Sequence, residues 1–94
     1  MRLKHKVSVI VPSKIGENEV NNSKYVHEVM KRLSNEFGGA SSIEQKGAWV
    51  SDEDGLVIEN NELVYAYCND IEEGEKIAKE LGLYIKVEMK QEGS

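Results

Sequence analysis

The chain has 94 residues, 39% hydrophobic and 31% charged, which leaves room for a single domain over residues 1–94 and excludes a multidomain enzyme. Seventeen Asp and Glu against twelve Lys and Arg give a formal charge of −5, which repels a phosphate backbone and argues against nucleic-acid binding. One cysteine rules out an internal disulfide and a cysteine-built zinc site, and the apolar run Val7 to Val11 is too short for a signal-peptide core or a membrane span, so a cytoplasmic protein is expected.

Lys6 to Val11 is β-branched, with Val7, Val9 and Val11 on one face and Ser8 and Ile10 on the other; this predicts a strand ended by Pro12. Residues 13 to 22 are polar apart from Ile15 and Val20, which predicts a long surface connection, the place where a ligand or partner would be gripped. Asn21 or Asn22 can cap the helix that follows. Val26, Val29, Met30, Leu33 and Phe37 form its apolar stripe, and Gly38-Gly39 supplies a left-handed residue to close it.

Ser41 to Val50 predicts an edge strand. Asp54-Gly55 is a turn signal, and residues 56 to 68 predict one long strand. Asp70 and Glu73 match a capping box, opening a helix that buries Ile71, Gly74, Ile77, Ala78 and Leu81 and closes at Gly82. From Leu83 to Lys90 apolar and polar residues alternate, Leu83, Ile85, Val87 and Met89 against Tyr84, Lys86, Glu88 and Lys90, which predicts a last strand.

The order strand, helix, strand, strand, helix, strand is that of an α+β ferredoxin-like βαββαβ sandwich, a four-stranded antiparallel sheet with two helices on one face and the first and third strands in the middle. Its open face would carry Ile10, Tyr65, Tyr67 and Tyr84, with Trp49 at its margin. That is more apolar surface than a monomer tolerates, so a homodimer through the open face, or a host protein seated there, is expected.

The remaining candidates have ordinary readings. His5 and His27 lack acidic neighbours at metal-ligand spacing, Cys68 points at the core, and the basic run Arg2, Lys4, His5, Lys6 reads as a solvated strand flank. Asp52-Glu53-Asp54-Gly55 lacks the later glutamate of a calcium loop. No cofactor or metal is expected. Stacked tyrosines on central strands are also how RNA-recognition domains hold bases, but the negative charge and the missing basic motif favour self-association.

Phe37-Gly38-Gly39-Ala40-Ser41, then Gly47-Ala48-Trp49-Val50, Asp54-Gly55 and Glu59, resembles a pattern shared by small uncharacterised proteins of bacteria, phages and plasmids. The resemblance implies a ferredoxin-like fold and a mobile-element origin, and it brings no activity with it. Within it, Trp49 and Glu59 read as a structural pair, an indole N–H beside a carboxylate across two strands. The favoured reading is a non-enzymatic binding or regulatory module. The alternative is a small-molecule binder or small enzyme with a pocket between the sheet and the 12–21 loop, using Tyr65, Tyr67, His27 or Glu59.

Overall fold

The computed structural model describes residues 4–15 and 18–92, so Arg2, Gly16, Glu17 and the last two residues of the tail lie outside the described residues. The elements run β1 (His5–Pro12), β2 (Lys14–Ile15), β3 (Asn18–Glu19), α1 (Ser23–Phe37), β4 (Ser41–Ser51), β5 (Gly55–Cys68) and α2 (Ile71–Glu92). β1, β5 and β4 form an antiparallel sheet in that order, with β5 central, while β2 and β3 make a small separate hairpin.

The alternation in β1 does what it predicts. Val7, Val9 and Val11 are buried with Val64, Ala66 and Cys68 of β5, beneath Tyr25, Val29 and Leu33 of α1 and Ile77, Leu81, Ile85 and Met89 of α2. Asn21 Oδ1 accepts from the Ser23 N–H at 3.0 Å, whereas the Asn22 amide turns back to donate to the Pro12 carbonyl at 3.3 Å. Gly38, at φ +89°, closes α1 by donating its N–H to Ser34 O. The connection after β1 is tied down: Ser13 Oγ donates to Asn60 O, Val20 N–H donates to Ser13 O, and Val20 packs against the core.

At the β4–β5 turn, Ser51 Oγ accepts from the Glu53 and Asp54 N–H groups and Gly55 takes a positive φ of +73°. α2 opens on the Asp70 carboxylate, which accepts from Glu72 and Glu73 N–H at 3.1 and 3.2 Å. Gly74 is where this helix comes closest to the sheet, because a Cβ there would lie 2.7 Å from both Cys68 Sγ and Val7 Cγ1.

The four-stranded ferredoxin-like sandwich is not formed. Residues 83–90 continue α2 through Gly82, so among the described residues the main sheet gains no fourth strand, and β1 is an edge of a three-stranded sheet with β5 alone in the middle. The physical reason is the ladder Ile77, Leu81, Ile85, Met89, buried at four-residue spacing; Leu83 and Val87, which alternation would have placed beside Ile85, are 63% and 44% exposed.

α1 lies over β5 and α2 over β1. β1 is thus an edge strand roofed by its own helix, and Gly74 of α2 approaches both Val7 of β1 and Cys68 of β5. Beyond the other end of β1 the β4–β5 hairpin runs on as a two-stranded arm, and the molecule measures 48 × 26 × 20 Å.

Candidate functional site

Cross-strand partners share a face, so the register sorts the sheet. The face away from the helices carries a row across all three strands, Ile10 opposite Leu63 opposite Ile43, with Tyr65 between Ser8 and Ser41 in a neighbouring row and Tyr67 opposite Lys6 beyond it. Ile10, Ile43 and Tyr67 are about half exposed, at 53%, 48% and 47%. The Tyr65 and Tyr67 rings meet edge to face at 6.1 Å, and Lys6 Nζ stands 4.4 Å over Tyr65. Lys6 and Glu59 are the charged residues that the register of the three strands places on this face.

Of the residues expected here, Ile10, Tyr65, Tyr67 and Trp49 lie on this face, with Trp49 out on the arm, where its indole N–H donates to Glu59 Oε1 at 3.4 Å. Tyr84 does not. Carried on α2, it packs against Tyr25 of α1 with ring centroids 6.4 Å apart, and burial followed by Glu28 and Glu88 pushes its phenol pKa up. Ile43 is a member of the face that the sequence pattern alone did not reveal, because its alignment depends on the β4–β5 register, whereas Leu63, two residues before Tyr65, follows from the alternation of β5.

A second feature lies on the helix side. A cleft of about 550 Å³ opens between the β2–β3 hairpin, the start of α1 and the base of the arm, lined by Ser13, Glu19, Val20, Asn22, Glu44, Gln45, Lys46, Asn60, Asn61 and Glu62. It sits where a pocket beside the 12–21 loop was expected, but Tyr65, Tyr67, His27 and Glu59 do not line it. Its polar groups are three carboxylates and four amides with the Lys46 ammonium and the Ser13 hydroxyl, a lining of net negative charge suited to cations and N–H donors. Glu44 stands directly opposite Glu62, and Asn61 Oδ1 is buried with no donor among the described residues.

Outward from the cleft on the same side come Lys46 opposite Asn60, Ala48 opposite Ile58 and Val50 opposite Leu56, then the acidic tip Asp52-Glu53-Asp54. Val50, Leu56 and Ile58 stand 77%, 64% and 57% exposed. A smaller hollow of about 340 Å³ lies beside Phe37 to Ser41 and Tyr65 to Tyr67. Among the described residues, no three His, Cys, Asp or Glu side chains converge to hold a metal, and no helix is long and apolar enough to cross a membrane. Cys68 is buried at the sheet end, its thiol donating toward Asp70 O at 3.5 Å; desolvation, then Asp70 and Glu73, push its pKa up.

No family model matches the chain, and neither the curated proteins nor the solved structures yield a match. The likeness at Phe37 to Ser41 and Gly47 to Val50 therefore stands on those residues alone.

Proposed function

We propose that this protein is a non-enzymatic binding module that works as a homodimer joined through the open face of its sheet. The observation that carries the reading is the row Ile10, Leu63, Ile43, which spans the full width of the sheet with two of its three members half exposed. The tyrosines beside it supply flat apolar area with hydroxyls that find partners at a rim. Charge does not oppose the contact. Although the chain carries −5, Lys6 and Glu59 are the charges on this face, of opposite sign, and Glu59 is engaged by Trp49. The Phe-Gly-Gly and Gly-x-Trp pattern supports placing the module among accessory proteins of phages or other mobile elements, acting in the cytoplasm on a host protein.

Sedimentation equilibrium tests the assembly. A monomer–dimer equilibrium is expected, and Ile10→Lys and Tyr67→Lys should each weaken it by at least about tenfold, because each buries a charge only in the interface. A wild-type chain that stays monomeric at high micromolar concentration, or a dimer indifferent to both changes, overturns the reading.

A further inference from the structure

The underside of the arm is a second surface, on the opposite side of the sheet from the proposed dimer contact. We infer that it receives a basic amphipathic helix from a partner protein, laid along β4 and β5 with its apolar residues on Ala48, Val50, Leu56 and Ile58 and its cations toward Glu44 and Glu62.

The fold supplies the precedent within itself. α1 already packs on this face of β5, and the underside of the arm continues the same face past the start of α1, so a second helix would extend the layer end to end. From Glu44 to Val50 the bare strip is about 20 Å long, which matches roughly thirteen residues of helix.

Charge selects the occupant. Between residues 41 and 62 stand six carboxylates, Glu44, Asp52, Glu53, Asp54, Glu59 and Glu62, against the single cation Lys46, so the hairpin carries −5 while the rest of the chain balances at eleven charges of each sign. The strip is acidic at both ends, and between them Lys46 and Asn60 precede the apolar pairs Ala48–Ile58 and Val50–Leu56. That is the complement of a helix with an apolar middle and cations toward both ends. Glu44 directly opposite Glu62 is a pairing that costs the isolated hairpin stability, and a cation inserted between them relieves it.

The probe is a fluorescein-labelled helical peptide with leucines on one face and lysines on the other, measured by anisotropy against the full chain. Saturable binding is expected. It should weaken by at least about tenfold in the Glu44→Gln, Glu62→Gln double variant and equally in the Val50→Ser, Ile58→Ser double variant, and it should be unchanged in Ile10→Lys, which touches only the open face. No saturable binding, equal binding of a peptide whose leucines are replaced by serine, or a loss confined to Ile10→Lys overturns the proposal. Because Ile10→Lys reports separately on self-association, failure of the dimer and failure of this site are distinguishable.

Discussion

The ring of Tyr84 leans on that of Tyr25, centroids 6.4 Å apart and planes tilted by 58°, and this contact fastens the second half of α2 to the first turns of α1. A strand at residues 83–90 would put Leu83 and Ile85 on one face, whereas the helix buries Ile85 and leaves Leu83 in solvent. Ile85→Ala should therefore cost about 2–5 kcal/mol while Leu83→Ala stays within about 0.5. Urea unfolding measures both. Equal losses would contradict the helix.

Gly74 is held by space, since its backbone touches the sheet where any side chain would strike Val7 and Cys68. Gly74→Ala gains about 1 kcal/mol of helix propensity and loses about 1–3 to overpacking, so the net change should be destabilising. In a Val7→Ala background the penalty should shrink, because Val7 Cγ1 is gone. Additive losses in that double-mutant cycle would place the strain elsewhere.

Asp70 caps α2 by accepting two hydrogen bonds at one carboxylate oxygen, from the Glu72 and Glu73 N–H groups. Asp70→Ala should cost about 1 kcal/mol, and Asp70→Asn, which keeps an acceptor, should recover most of it. Melting curves of the two variants decide between a cap and a mere surface charge.

The Cys68 thiol has its folded-state pKa raised, by burial first and then by Asp70 and Glu73. The sign follows from linkage. Below the pKa of an unfolded thiol both states hold the proton, and the full contribution to stability is present; as pH rises beyond it the unfolded chain ionises first, and that contribution is lost by the time the folded pKa is passed. Stability should fall on the alkaline side, Cys68→Ala should flatten that limb, and iodoacetamide should label the native thiol far more slowly than the urea-unfolded one. Rapid native labelling would refute the buried, protonated state.

Much of this was written in local residue patterns. Val7, Val9 and Val11 announce β1 by alternation, Val29 and Leu33 announce α1, Asp54-Gly55 the hairpin, and Asp70 the start of α2. The error at 83–90 arose where two periods coincide. Leu83, Ile85, Val87 and Met89 satisfy a two-residue repeat, while Ile85 and Met89 also extend the four-residue ladder from Ile77 and Leu81. β-branched Ile85 and Val87, together with Gly82 in the place of a cap, favoured the strand, and only packing against α1 and β1 settles the contest. The open face was legible in Ile10, Tyr65 and Tyr67, since alternation within one strand fixes a face. Ile43, and the Glu44–Glu62 pairing, required a register that no local pattern contains.

The seat of α2 over the edge strand β1 also decides how this molecule can fail to associate. An exposed edge strand ordinarily invites a twin to zip alongside it, giving a continuous sheet or, by repetition, a fibre. Two copies joined β1 to β1 about a two-fold axis normal to the sheet would have their strands about 4.8 Å apart, yet each β1 carries its own α2 on the same face, and two helices need about 8–10 Å between their axes. α2 thus acts as a steric guard of its own edge, excluding a twin that brings its helix on the same face.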